Sequence, residues 1–212
     1  FGTSGARISI INIEKKLVYS NSVSYEYSFI NPKSWIDSCE KLLKRLPPDI
    51  KVNLNKLAIS GTSGTLTACN KQGLPLGEAI PYYQACNGHQ IIIESITVGE
   101  EHLQTPYSSL AKALSLIDKY GQNILLRHQS DWITGWFLKD WTYGEEGNNI
   151  KLGWDLIKES WPNSYNNTSW QKCLPVIIKS GKIIGKIDYS FAEKYKLNDK
   201  ISIISGTTDS NA

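Results

Sequence analysis

The chain has 212 residues, 41% of them hydrophobic and 20% charged, with a formal net charge of +3. That balance is ordinary for a globular protein, and the length suits a single domain of about 100–200 residues. The lysines are spread along the chain, which argues against the basic face of a nucleic-acid binder, and the longest apolar runs, such as residues 174–178, fall far short of the ~20 residues a membrane span needs.

Residues 6–13 alternate apolar and polar side chains, and residues 16–29 are rich in β-branched and aromatic ones. The chain is therefore expected to open on two antiparallel strands joined near residues 14–16. Asn31 and Pro32 open a helix over residues 34–46, with Trp35, Cys39, Leu42, Leu43 and Leu46 at helical spacing, and Pro47 and Pro48 stop it. Strands are predicted at 56–60 and 65–70, separated by a Gly/Thr/Ser turn and followed by a turn at 71–73. Residues 107–120 form a helix with Leu110, Leu114 and Ile117 on one face and Gly121 as its C-cap. A short buried strand follows at 124–127. Ser130 is expected to cap a helix over 131–141, and shorter helices are predicted at 151–159 and 190–195. A last strand at 201–205 runs into Gly206, Thr207, Thr208 and Asp209. The order predicts one mixed α/β domain whose binding crevice lies at the carboxyl ends of its strands.

Cys39, Cys69, Cys86 and Cys173 are widely spaced and form no C-x-x-C pair, so free, mostly buried thiols in a reducing compartment are expected. No basic, apolar leader opens the chain; the expected location is the cytoplasm, or a plastid for a plant source. The sequons at Asn166 and Asn167 are then chance matches in an Asn-rich loop. The start at Phe1 and the absence of methionine lead to the expectation that the chain is a piece of a longer protein.

Three segments share one composition: residues 2–5 (GTSG), 61–65 (GTSGT) and 206–210 (GTTDS). Each sits at the edge of a predicted strand. Glycine permits a sharp turn and close approach of a ligand, and successive N–H groups and hydroxyls can bind phosphate or sugar oxygens. Any one such turn more often serves only to reverse the chain; three together point to a site.

FGTSGAR at residues 1–7 resembles the opening phosphate loop of FGGY carbohydrate kinases, in which an Asp precedes the position of Phe1. GTSGT at 61–65, followed by Pro75 and Leu76, resembles the family's second strand pair. SGTTDSNA at 205–212 resembles the segment holding its catalytic aspartate. HQSDW at 128–132, GEEGNNIKLGWD at 144–155 and CLPVIIKSGKIIG at 173–185 fall in the expected order, so the resemblance covers residues 1–212. It is greatest to the D-ribulokinase-like and xylulokinase-like members.

The resemblance implies an actin-like (ribonuclease H-like) α/β domain, a mixed sheet with antiparallel leading strands flanked by helices. It would be the N-terminal, sugar-binding domain of a kinase whose C-terminal nucleotide-binding domain lies elsewhere in the same chain. The implied reaction is ATP-dependent phosphorylation of a sugar hydroxyl with Mg2+, the substrate being a pentulose such as D-ribulose. Asp209 is the implied general base: a carboxylate at a strand end can accept the proton of an attacking hydroxyl, and the loose transition state asks for positioning above all. Asp209 reads also as a plain helix N-cap, and the two roles are compatible.

Gly2, Thr3, Ser4, Arg7, Thr207 and Thr208 are the implied phosphate-binding residues, and Ser63, Gly64, Gln84, Tyr107 and Ser210 the implied sugar-binding ones. Tyr107 with Lys112 resembles a Tyr-x-Ser…Lys pattern of related glycerol kinases, but reads equally as a hydrophobic staple at a helix start. Asp131 could hydrogen-bond substrate but reads rather as an ordinary first-turn acid, and Trp132, Trp136 and Trp141 read as core and groove lining. The family's Asp and Arg after the second turn are missing: Tyr83, Gln84, Ala85 and Cys86 stand in that region, where Gln84 can still donate and accept hydrogen bonds. Gly181 and Lys182 lack the spacing and the Ser/Thr of a Walker A loop. The missing charges keep a second expectation open, a non-catalytic actin-like domain that binds a sugar or a protein.

Overall fold

The fold is taken from a computed structural model that describes residues 1–209. Strands β1 (Gly5–Ile11) and β2 (Leu17–Ser24) form the expected antiparallel hairpin, Gly5 opposite Ser24 and Ile11 opposite Leu17. Its turn is built by Asn12, whose Oδ1 accepts from the N–H groups of Glu14 and Lys16 at 3.1 and 2.9 Å. Helix α1 (Pro32–Arg45) starts where Asn31 caps Lys33 N–H, and it buries Trp35, Cys39, Leu42 and Leu43 on one face. The proline pair does end it, but Pro48 then opens a second helix, α2 (Pro48–Asn53), because proline is tolerated at a first helical position.

There follow β3 (Lys56–Gly61), β4 (Leu66–Cys69), α3 (Gln90–Ile96), α4 (Ser109–Tyr120), β5 (Leu125–His128) and α5 (Gln129–Leu138). After these come β6 (Tyr143–Glu145), α6 (Glu146–Asn149), β7 (Val176–Ile178), β8 (Ile183–Lys186), α7 (Tyr189–Tyr195) and β9 (Ser202–Thr208). Four expectations are corrected. Ser130 lies inside α5 instead of capping it; His128 holds the cap position, and the helix ends at Leu138 with Lys139 in the left-handed conformation. Residues 151–159 are not a helix: a 3-10 turn at Ile150–Leu152 ends at Gly153, and Asp155 then folds a tight turn by accepting from Ile157 and Lys158 N–H. The strand predicted at 201–205 continues to Thr208. The expected mixed sheet is present, but the antiparallel leading strands expected within it form a two-stranded sheet of their own.

Among the described residues the sheets are β1-β2, β4-β5, β6-β7 and a central mixed sheet in the order β3-β9-β8. β3 runs parallel to β9, and β8 runs antiparallel to it. The strands on either side of the 61–65 turn therefore do not pair with each other: β3 joins β9, and β4 joins β5. Two apolar clusters hold the layers together. One gathers Trp35, Trp132, Phe137, Phe191 and Ile203; the other gathers Leu66, Leu110, Leu126, Leu152 and Tyr165. Each such large side chain contributes about 1.5–3 kcal/mol on burial. Trp35 meets Trp132 edge to face at 5.6 Å, and Trp132 and Trp141 are core, as expected.

Arg127 is buried in β5 and donates to the carbonyls of Leu126 (2.6 Å), Trp141 (2.5 Å) and Cys173 (3.0 Å). It ties β5 to the chain around β6 and β7, and burial lowers its guanidinium to about 10, still charged at neutral pH. All four cysteines are free; Cys39, Cys69 and Cys173 are buried and Cys86 half-buried. Burial pushes the Cys69 thiol up to about 11, so it behaves as a small apolar side chain. A cavity of about 410 Å³ opens between β1 and β3 over Cys39, Leu42 and Leu43.

Candidate active site

The three Gly/Thr segments meet at one end of the central sheet. Ser60 stands opposite Thr207 and Gly61 opposite Thr208 in the parallel β3–β9 ladder. Phe1, which leads into the residue 2–5 turn, donates from its backbone nitrogen to Ser60 O at 2.7 Å, which brings the start of the first turn beside the end of β3. Asp209 itself is exposed. Its N–H donates to Gly61 O at 3.0 Å and its Oδ1 accepts from Ser63 N–H at 3.2 Å.

β9 reaches this position through an irregularity. Between Ala58 and Ser60 the partner strand advances from Ile204 to Thr207, one residue too many, as in a β-bulge. Gly206 occupies the bulge, and a Cβ there would lie 1.8 Å from Ile59 O, so no side chain fits. The bulge brings the end of β9 level with the end of β3.

The 61–65 turn is locked from three directions. Thr62 N–H donates to Gln129 Oε1 (2.9 Å), Ser63 N–H to Asp209 Oδ1 (3.2 Å) and Gly64 N–H to Asn148 Oδ1 (3.2 Å). Thr62 Oγ1 lies 2.9 Å from Gln129 Oε1 and 2.8 Å from Thr65 Oγ1. With one proton per hydroxyl, Thr65 donates to Thr62 and Thr62 to Gln129. These amides, expected to face a ligand, are instead committed to side chains of the protein. Gly64 is buried with φ +81, a left-handed conformation that favours glycine, and a Cβ there would lie 3.3 Å from the Lys151 side chain and 3.7 Å from Tyr82 Cβ.

Of the other implied sugar-binding residues, Gln84 and Tyr107 are exposed on neighbouring loops. Gln84 is exposed on a loop that docks through Cys86 N–H on Pro106 O at 2.8 Å, which sets it near Tyr107. Tyr107 is exposed and precedes α4, which Ser108 caps by accepting from Ala111 N–H. Its side chain is not buried against the helix as a staple; its carbonyl accepts from Lys112 Nζ. Lys112 is fully buried, and desolvation pushes its ammonium down to about 8.

Among the implied phosphate-binding residues, Gly2 N–H closes on Gly5 O at 3.0 Å, leaving Thr3 and Ser4 exposed at the tip. Tyr25 OH braces the turn by donating to Gly2 O at 3.0 Å. Arg7 is exposed on β1 along the 410 Å³ cavity, apart from the 61–65 turn. Thr207 borders a second cavity of about 420 Å³ with Glu146, Ile150 and Ser180. Thr208 is buried. Ser210 lies outside the described residues.

Sequence reasoning missed Gln129 and Asn148, and also the acid pair behind them. Asp131 and Glu145 are both buried. Asp131 Oδ1 accepts from Glu145 N–H (2.9 Å) and Oδ2 from Asn149 Nδ2 (3.1 Å). Glu145 accepts from Gly147 and Asn148 N–H (2.7 and 2.5 Å), capping α6. Burial first, then the neighbouring Asp131, pushes the Glu145 carboxyl up to about 7. The paired acids and amides at 145–149 were the visible signal, but an Asn-rich stretch reads as a loop until its partners are known.

No protein-family model matches the chain. Solved structures do. The chain is similar to Plasmodium falciparum glycerol kinase with ADP, at 17% identity and TM-score 0.81 over 99% of this chain and 47% of that one. It is similar to a ligand-bound xylulose kinase from Lactobacillus acidophilus, at 16% identity and TM-score 0.80 over 98% and 46%. A gluconate kinase from the same organism matches at 16% identity and TM-score 0.79, again over 98% and 46%. The chain thus spans about half the length of the structures it matches, and what it shares with that half of these carbohydrate kinases is a mixed α/β fold.

Proposed function

We propose that this chain is the sugar-binding half of an ATP-dependent carbohydrate kinase of the FGGY type, with Asp209 as general base. The observation that carries the reading is the placement of Asp209: exposed, fixed by its own N–H and by Oδ1, at the sheet end where the three Gly/Thr segments meet. The fold shared with glycerol, xylulose and gluconate kinases supports it.

In the proposed reaction the acceptor hydroxyl oxygen attacks the γ-phosphorus of ATP. An O–P bond forms, the bond to the β-phosphate oxygen breaks, ADP leaves, and the hydroxyl proton passes to Asp209. Little covalent chemistry is asked of the protein in such a transfer, so a rigidly aimed carboxylate is the useful contribution. Thr3 and Ser4, exposed at a tight glycine turn, are suited to phosphate oxygens. Mg2+ would be held mainly by the phosphate oxygens and water and would neutralise phosphate charge. The C-terminal domain of the same chain would bring the rest of the nucleotide site.

The acceptor we propose is a pentulose, D-ribulose first, held beside Ser63 and Asp209 with Gln84 and Tyr107 on the neighbouring loops. The absence of an acidic residue at 83–86 is the specific feature favouring a second reading, a non-catalytic domain that binds a sugar or a protein. Incubating the full-length protein with Mg-ATP and a panel of pentuloses, glycerol and aldonates, with ADP release as the readout, separates the two. Release with a pentulose supports the kinase; sugar binding without release of ADP supports the second reading.

A further inference from the structure

Two side chains with no place in the proposed chemistry hold the segment that holds Asp209. Gln129 opens α5, directly after β5, and Asn148 sits in α6; both are fully buried. They come from different elements and take the amides on either side of Ser63 N–H, at Thr62 and Gly64. A turn whose flanking amides are both anchored has little freedom to rotate its middle peptide, and the middle peptide is the one aimed at Asp209 Oδ1.

We infer that Gln129 and Asn148 are positioning residues that fix the 62–64 turn so that Ser63 N–H grips one oxygen of Asp209. The inference rests on the reading of Asp209 as base. With Oδ1 so committed, Oδ2 is the oxygen that takes the hydroxyl proton.

The arrangement is more than local packing. Asn148 Nδ2 donates to Ser130 Oγ at 3.1 Å, so its amide plane is set by α5, and its own backbone N–H is held by Glu145. Gln129 Oε1 accepts twice from Thr62, from the N–H and the hydroxyl, which fixes its amide in turn.

The test uses the full-length protein. Asn148→Ala removes the acceptor for Gly64 N–H, and Asn148→Asp keeps it; Gln129→Leu removes the acceptor for Thr62. If the two residues act through Asp209, Asn148→Ala and Gln129→Leu lower kcat by about 10²-fold, the scale of a 1 Å misplacement. KM for sugar and for ATP stays within about threefold, and Asn148→Asp recovers most of the loss. In an Asp209→Asn background the same substitutions cause no further loss, since the group they aim is already gone. An equal proportional loss in both backgrounds, or an unchanged kcat, overturns the inference. Amide hydrogen exchange at Ser63 reads it without turnover: exchange accelerates in Asn148→Ala and Gln129→Leu, and an unchanged rate overturns it. A wild-type protein that phosphorylates no polyol, with Ser63 exchange still accelerated in the variants, refutes the kinase reading and leaves the anchoring of the turn standing.

Discussion

Ser63 donates its backbone N–H to Oδ1 of Asp209 across 3.2 Å, joining residues 146 positions apart in the chain. The return contact, Asp209 N–H to Gly61 O at 3.0 Å, makes the pair a two-point lock between the end of β3 and the end of β9. A carboxylate fixed this way has lost most of its rotational freedom before any substrate arrives, which is what a transfer governed by positioning requires.

Replacing Asp209 by asparagine keeps an oxygen for Ser63 N–H and removes the base. In the full-length protein kcat falls by about 10²–10⁴-fold, while sugar affinity measured by calorimetry is retained. Unchanged turnover removes Asp209 from the mechanism.

Gly206→Ala places a Cβ 1.8 Å from Ile59 O, against backbone that cannot move without parting β3 from β9. Stability drops by about 3 kcal/mol, the upper end for overpacked sites. The urea midpoint is the measurement, and a midpoint equal to that of the wild type would mean that the bulge is absent.

Glu145 carries a pH signature. Its carboxyl is pushed up to about 7 in the folded state from the ordinary 4.5. Between those values the folded protein holds a proton that the unfolded chain has released, so this group's contribution is full at low pH and is lost as pH rises through 7. Glu145→Gln keeps an acceptor for Gly147 and Asn148 N–H and removes the titration. Denaturation midpoints measured from pH 5 to 8 should fall with a slope approaching one proton in the wild type and flatten in the variant. Parallel curves would contradict the raised carboxyl.

The residue 1–212 chain by itself should bind ATP with a Kd no tighter than about 1 mM, because in the proposed reading a second domain holds most of the nucleotide and this half contributes phosphate contacts alone. Isothermal calorimetry decides, and micromolar binding would refute a nucleotide site completed by a second domain.

The local rules made much of the frame legible. Asn31 with Pro32, Trp35 with Cys39 and Leu42, and Gly121 after Ile117 marked helices from spacing and caps alone, and α1 and α4 follow them closely. The failures share a cause. Ser130 satisfies every local rule for an N-cap, yet its hydroxyl goes to Asn148, 18 residues away. Residues 151–159 have helical composition, but the acceptor on Asp155 bends them into a turn instead. In the site, glycine and threonine announced the turns, and those residues do meet at one sheet end. The anchors Gln129 and Asn148 stayed hidden because a lone buried amide has no period and no neighbour rule; only its distant partner gives it a role.

The central strand of the three-stranded sheet, β9, is also the one nearest the end of the described chain. Among the described residues β3 and β8 share no ladder and are joined through it. During synthesis both flanking strands therefore leave the ribosome before the strand that unites them. Contacts spanning 146 positions form late and slowly. Until β9 inserts, Ser63 N–H has no carboxylate to grip. The Ser63–Asp209 contact is assembled in the same event that completes the sheet, so partly folded chains lack it while still exposing the edges of β3 and β8.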